Sequence, residues 1–138
     1  MSRSGYSDDC WGWGYICWRG AVNSAMNGKR GQAFLKEMLK AMDTLPEKRL
    51  IANDLERNGE YCALGAVGHL RGLDMSNIDP DDAYQVSNVF NIAPAMAKEI
   101  VYMNDEGFSY YEMSPEKRFA AVRKWIESLI IKEDGNGS

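Results

Sequence analysis

The chain has 138 residues, of which 45% are hydrophobic, so it suits one domain with its own core, and its three cysteines, an odd number, argue against a disulfide framework. No apolar run approaches the roughly 20 residues that span a bilayer, and the polar opening MSRSGYSDD does not have the pattern of a signal peptide; we therefore expect a cytoplasmic protein. The net charge of −4 is concentrated in residues 61–114, which carry two basic against eight acidic residues, a balance that argues against nucleic-acid binding.

The chain begins with an aromatic, glycine-rich segment. Its glycines predict an N-terminal arm over residues 1–14, followed by a short helix over residues 16–26 that ends at Asn27-Gly28. Three of the four tryptophans lie in or next to this arm. We predict that Trp11, Trp13 and Trp18 form an aromatic lid on the domain, with Trp18 the most buried of the three.

Residues 31–45 are predicted to form the clearest amphipathic helix, because apolar residues fall on one stripe and charged residues cover the other side. The stripe consists of Phe34, Leu35, Met38, Leu39 and Met42. Further along, Asn58-Gly59 is a strong signal for a two-residue β-hairpin turn. Strands over residues 49–55 and 60–63 would flank this turn, and a helix that ends at Asn58-Gly59 is the alternative interpretation.

Small residues crowd the segment CALGAVG, which begins at Cys62. We expect Gly65 and Gly68 to lie in a helix against the backbone of a neighbour, because a helical glycine costs about 1 kcal/mol relative to alanine. Cys62 would then be a small buried plug where the hairpin meets the helix.

Three further helices complete the predicted fold. The first is predicted to begin at Asp79 as N-cap with Pro80 at the first helical position, and the others at Pro94 and at Ser114-Pro115. Residues 104–107 are interpreted as a helix exit. The fold class is therefore α+β and mostly helical, with five or six helices and one small hairpin. One compact domain is expected over residues 1–132, with a disordered tail at 133–138.

The acidic middle of the chain supplies the candidate functional residues. Because acidic surfaces attract basic ones, we predict that these side chains bind a host protein or ribonucleoprotein with a basic surface, without direct contact to nucleic acid or membrane. The predicted partner-binding residues are Asp74, Asp79, Asp81, Asp82, Glu99, Asp105 and Glu106. The sequence itself leaves the oligomeric state open.

Two enzymatic interpretations remain as alternatives. A small hydrolase or metal-dependent enzyme could use Cys62 and His69, or the acids near Asp105. Cys10, Cys17, Cys62 and His69 are also residue types that hold structural zinc. However, Cys10 and Cys17 are seven residues apart, and so are Cys62 and His69. On a helix this spacing corresponds to a rise of roughly 10 Å, which is too far for both members of a pair to bind one ion. We therefore predict no metal, no cofactor and no catalysis, although whether these four residues meet in space is left open.

A third interpretation is a transcriptional regulator, because residues 84–101 have helix-turn-helix spacing. The second helix of that unit offers only Lys98 to phosphates, so a helical hairpin in the core is favoured over a DNA reader.

Seven stretches of this sequence carry a family resemblance: SRSGYSDD, WRGAV, GKRGQAFL, PEKRLIA, CALGAVG, FNIAPAMAKEIVYMNDE and the closing SPEKRF with the VRKWI that follows it. Through them the chain resembles a family of small uncharacterised accessory proteins of phages and prophages of proteobacteria. The Cys-Ala-Leu-Gly-Ala helix start and the later Asn-Asp pair also resemble a wider family of unknown function. The resemblance implies expression inside a bacterial host and brings no activity or cofactor. By class analogy it implies an inhibitor of a host nucleic-acid-targeting defence system, similar to an anti-CRISPR protein.

Overall fold

Six helices and one short hairpin make up the part of the chain that the structure describes. This computed structural model describes residues 11–107 and 113–131, with the side chains of the first helix described from Cys17 onward. In chain order the elements are α1 (Trp11–Asn27), α2 (Lys29–Thr44), β1 (Glu56–Arg57), β2 (Glu60–Tyr61), α3 (Ala63–Arg71), α4 (Ala83–Phe90), α5 (Pro94–Asp105) and α6 (Pro115–Leu129).

Helices α2 and α5 lie at the centre of the domain. Helix α2 packs against α1, α3 and α6, and helix α5 packs against α1, α3, α4 and α6. The apolar stripe predicted for α2 faces inward, with Leu39 half-buried and its other members buried. One core unites the elements, and its largest fully buried side chains include Leu35, Met38, Met42, Leu64, Phe90, Met96, Ile100 and Ile126. The prediction of a mostly helical α+β domain is confirmed.

The N-terminal arm was predicted too long. Helix α1 already includes Trp11, so residues 11–14 are helical in spite of Gly12 and Gly14. Intrinsic propensity is a weak preference that tertiary packing overrides, and α1 packs against both central helices. Trp18 packs half-buried against the core. Residues 1–10, the side chains of Trp11 and Trp13 and the predicted tail at 133–138 lie outside the described residues, so the aromatic lid stays a prediction.

The hairpin turn forms at the predicted place, which excludes the alternative helix. Asn58 and Gly59 both have positive φ angles, 55° and 80°, as a type I′ turn requires. The strands are much shorter than predicted, with Glu56 paired to Tyr61 and Arg57 to Glu60. The preceding segment is irregular because Asn53 adopts a left-handed φ of 73°, which no continuous strand accommodates.

Helix α4 begins three residues later than predicted. Asp82, not Asp79, is its N-cap, and Asp82 Oδ1 accepts a hydrogen bond from Gln85 N at 3.1 Å. The carboxylate of Asp79 instead accepts the backbone N–H of Asp81 at 2.9 Å, which closes an Asx turn before the helix. Helices α5 and α6 have Pro94 and Pro115 as their first residues, as predicted.

The glycines of α3 allow close packing, in two different ways. A Cβ atom at Gly65 would lie 1.8 Å from the carbonyl oxygen of Leu55, so a neighbouring backbone occupies that space, as predicted. At Gly68 the prediction of a backbone neighbour is wrong, because a Cβ there would meet Met75 Sδ at 2.3 Å. Cys62 is buried as predicted and also N-caps α3, its Sγ accepting from Gly65 N at 3.3 Å.

Candidate functional site: an acidic groove between α4 and α5

An open groove of about 820 Å³ lies between the start of α4 and the C-terminal half of α5. We call it the acidic groove, because five carboxylates line it. These are Asp79, Asp81, Asp82, Asp105 and Glu106. Its volume falls in the range of pockets that bind ligands in proteins, roughly 300–1,000 Å³. Acids from two chain segments more than twenty residues apart therefore meet at one concave surface.

The first wall of the groove is a turn that its own side chains hold in place. Besides the Asx turn and the N-cap bond, Gln85 Oε1 accepts the backbone N–H of Asp79 at 2.9 Å. Asp79 and Asp82 each use one carboxylate oxygen in these local bonds. The exposed carboxylate of Asp81 makes no hydrogen bond to any described residue, so the turn presents it to solvent.

The second wall is anchored to the core by Asn104, at the C-terminal end of α5. Asn104 is 2% exposed; its Oδ1 accepts from Ala63 N at 3.1 Å and its Nδ2 donates to Ile51 O at 2.9 Å. Its Nδ2 also donates to Asp105 Oδ1 at 2.8 Å, and the same oxygen accepts from Asn53 N at 3.1 Å. The Cys-Ala-Leu-Gly-Ala start of α3 and the Asn-Asp pair of α5 thus meet, and together they fix Asp105 at the groove.

The five groove carboxylates have no ion-pair partner in the described part of the chain, unlike most acids elsewhere in it. Ion pairs join Glu37 to Arg71, Asp43 to Arg123, Asp54 to Arg57, Glu60 and Glu116 to Arg49, Glu99 to Arg19 and Glu127 to Arg123. The hydrogen bonds from Arg71, opposed by partial desolvation, lower the pKa of Glu37, and Arg123 lowers the pKa of Asp43 in the same way. Uncompensated negative charge is therefore concentrated at the groove.

Two exposed tyrosines and one lysine share the groove with the carboxylates. Tyr84 is 74% exposed and Tyr102 is 49% exposed, and both line the groove. Lys98 is exposed on α5 and is the one basic residue in the described lining. Tyrosine offers a large contact area at low entropic cost and is enriched in the energetic centres of interfaces. The groove therefore combines charge with aromatic contact surface.

Five of the seven predicted partner-binding residues line this groove, and two do not. Asp74 is exposed in the loop after α3, where hydrogen bonds from the Ser76 N–H and hydroxyl lower the pKa of its carboxyl. The prediction for Glu99 is wrong: it is 6% exposed on the side of α5 that packs against α1, and its Oε2 lies 3.1 Å from Arg19 Nη1. Burial between helices makes Glu99 a structural residue.

Cys62 is poorly placed to act as a nucleophile. Burial raises the pKa of the Cys62 thiol to about 12, so the thiol stays protonated at neutral pH. The cavity that it lines measures about 10 Å³, on the order of one water molecule. His69 is exposed and does not pair with this thiol; its ring stacks on Tyr61 with centroids 4.6 Å apart, and its Nδ1 lies 3.0 Å from Tyr61 Oη.

The four residues considered for zinc do not come together where the structure describes them. Cys17 is exposed on α1, whereas Cys62 is buried at the start of α3; Cys10 lies outside the described residues. Within residues 11–107 and 113–131, no group of three or more histidine, cysteine, aspartate or glutamate side chains could hold a metal ion. The five acids of the groove therefore form no such metal-binding group either.

The predicted helical hairpin over residues 84–101 exists as α4 and α5. Asn91, with a left-handed φ of 60°, ends α4, and Ala93 is the N-cap of α5. The groove beside this hairpin presents five carboxylates and Lys98, which is the reverse of what contact with phosphates requires.

Sequence reasoning missed three residues of the site: Tyr84, Tyr102 and Asn104. Tyr84 lies on α4 between Ala83 and Gln85, which are both half-buried. The apolar stripe of α4 places Tyr84 on the outer face of the helix, so helical periodicity could have identified Tyr84 as an exposed aromatic residue. Asn104 was interpreted as part of a helix exit. Its bonding partners are 41 and 53 residues away in the sequence, so no local signal marks it.

Comparison with protein-family models, curated proteins and solved structures finds no significant match to this chain. None of the described helices has the length and apolar character needed to cross a membrane.

Proposed function

We propose that the protein is non-catalytic and acts by binding a macromolecular partner through the acidic groove, which receives a basic segment of that partner. The observation that carries this proposal is the meeting of five carboxylates without ion-pair partners, within the described chain, at one concave surface with two exposed tyrosines. Partner binding would supply the missing positive charge and cover the tyrosine rings.

The charge layout favours a protein surface over nucleic acid as the contacted group. Electrostatic complementarity speeds association and suppresses wrong partners, so a groove of one sign selects the opposite sign. Phosphates would be repelled by the same carboxylates. A ribonucleoprotein partner would therefore be contacted through its protein subunit.

The finer proposal is that the partner belongs to a host nucleic-acid-targeting defence system, which the protein inhibits in the bacterial cytoplasm. The resemblance to phage accessory proteins supports this proposal by analogy of class. The groove supports it chemically, since an effector that binds nucleic acid carries basic surfaces that an acidic protein can occupy.

The proposal is tested by a double charge reversal, Asp81→Lys with Glu106→Lys. Both side chains are exposed groove residues that make no hydrogen bond to the described chain, so their replacement leaves the fold in place. The matched control is Glu47→Lys, an exposed acid that does not line the groove. We expect the parent and the control to retain a basic partner from bacterial lysate at low salt, and the double variant to lose it. The retained complex should also weaken as salt rises, because exposed charges are screened over about 8 Å at physiological ionic strength.

Inhibition is tested with a purified RNA-guided nuclease and its target DNA. The parent and the Glu47→Lys control should slow cleavage, and the double variant should not. Equal retention of the partner by the double variant would contradict binding through the groove. Cleavage that continues unchanged with the parent protein would reject the finer proposal for that nuclease class.

A further inference from the structure

Arginine, carboxylate and aromatic ring come together at two places in the described part of this protein. Arg71 makes a two-pronged pair with Glu37, at 2.6 and 2.8 Å, while its guanidinium lies 5.6 Å from the ring centroid of Phe34 and 5.9 Å from that of Phe90. Arg19 likewise pairs with Glu99 at 3.1 Å and lies 5.1 Å from the ring of Trp18. In each case one guanidinium contacts a carboxylate and an aromatic face together, on both oxygens at Glu37 and on Oε2 alone at Glu99.

The acidic groove presents two of these three components. Carboxylates line both of its walls, Tyr84 and Tyr102 expose their rings beside them, and no arginine of the described chain lines the groove. We infer that the groove is an arginine-selective docking site for an arginine-bearing segment of a partner protein. This inference rests on the proposed function and adds which basic residue the groove recognises.

Arginine fits such a site better than lysine for geometric reasons. Its planar guanidinium donates paired N–H groups to a carboxylate and stacks on an aromatic face at the same time, and it is more weakly hydrated than an ammonium group. A lysine ammonium acts as a compact point charge and keeps more of its water. Exposed cation–π contacts are modest, so selectivity of about fivefold is expected rather than absolute discrimination.

Lys98 supplies an internal test, because it places a positive charge in the groove without an ion-pair partner in the described chain. An incoming arginine is repelled by this ammonium group. Lys98→Ala should therefore tighten binding by about two- to fivefold at low salt. Lys124→Ala removes an exposed lysine of α6 that does not line the groove, and it should leave binding unchanged.

The experiment uses two fluorescent glycine–serine peptides, identical except that one carries arginines and the other lysines at the same positions. Fluorescence anisotropy with the full chain should give a dissociation constant about fivefold lower for the arginine peptide. Tyr84→Leu with Tyr102→Leu should sharply reduce this preference, because only the carboxylate part of the recognition remains, while leaving weak, salt-sensitive binding of both peptides. Circular dichroism should show that these variants fold, because both side chains are exposed.

The outcomes separate the inference from the proposed function. Equal affinity for the two peptides, both lost in the Asp81→Lys and Glu106→Lys double variant, overturns the inference and leaves groove binding intact. Failure of both peptides to bind overturns both proposals. If sedimentation shows that the chain associates with itself through the groove, so that the double variant is monomeric, a second copy is the occupant and the inference is overturned.

Discussion

Replacement of Gly65 by alanine tests the close packing between α3 and the segment that precedes the hairpin. The added Cβ would lie 1.8 Å from the carbonyl oxygen of Leu55 and 2.8 Å from its carbonyl carbon. Both obstructing atoms belong to the backbone, so no side-chain rotation relieves the clash. The Leu55 oxygen also accepts the N–H of Cys62 at 3.2 Å, and that bond ties the segment to the start of α3.

Three contributions set the expected loss of stability. Overpacking costs about 1–3 kcal/mol. Displacing Leu55 also weakens a hydrogen bond whose donor is buried, at a further cost of about 1–3 kcal/mol. The higher helix propensity of alanine offsets about 1 kcal/mol of this loss. We therefore expect Gly65→Ala to lower the free energy of unfolding by about 3 kcal/mol, which corresponds to about 10 °C in Tm for a domain of this size.

Urea unfolding followed by tryptophan fluorescence measures this difference, and Gly20→Ala is the matched control. Gly20 also lies within a helix, but a Cβ there would meet no atom of the described residues within 4 Å beyond its own helix backbone, so this variant should gain up to about 1 kcal/mol in stability. Gly31→Ala, where the Cβ would lie 1.8 Å from Ala25 O, should behave like Gly65→Ala. A Gly65→Ala protein as stable as the parent would refute the packing derived for α3.

Three further predictions concern ion pairs and the buried thiol. Arg19→Ala leaves the buried Glu99 without its partner and should lower the free energy of unfolding in urea by about 1–3 kcal/mol. Arg57→Ala, which removes an exposed pair with Asp54, should cost less than about 1 kcal/mol. Equal losses in the two variants would be inconsistent with the burial of the Arg19–Glu99 pair. Under native conditions iodoacetamide should modify Cys17, and peptide mass spectrometry should find Cys62 unmodified until denaturant is added, because the Cys62 thiol is buried and protonated. Rapid labelling of Cys62 in the native protein would make it a candidate nucleophile again. The folded-state pKa of Glu37 is depressed, so its stabilising contribution is present above its unfolded value near 4.5 and is lost as the pH falls through the folded value. The Glu37→Gln variant should therefore lose less stability than the parent between neutral and acidic pH in thermal melts, and parallel pH profiles would exclude this linkage.

The sequence predicted those parts of the fold that depend on local chemistry. The apolar stripe of α2 follows from helical periodicity, and the turn at Asn58 and Gly59 follows from their tolerance of positive φ. The requirement for glycine at position 65 followed from its propensity cost in a helix. The first two features are decided within a few residues of chain, whereas the third depends on the backbone of Leu55, ten residues away.

What the sequence could not show depends on contacts between distant segments. From the sequence, Glu99 was predicted to be a surface acid. In the structure α5 packs against α1, and Arg19, 80 residues away in the sequence, pairs with Glu99. The first strand of the hairpin was predicted too long because alternation alone does not reveal the left-handed backbone at Asn53. The candidate acids were found from composition, but their meeting at one groove depends on how α4 packs against α5.

Nuclear magnetic resonance can locate directly the binding of a basic protein segment in the acidic groove. The isotope-labelled chain would be titrated with the arginine peptide at low salt, and the backbone amide shifts would be followed. We predict that the largest shifts fall in residues 79–84 and 101–106, on the two walls of the groove, and that they disappear in the Asp81→Lys and Glu106→Lys double variant. Shifts confined to α2 or α6, or unchanged by that variant, would contradict the account.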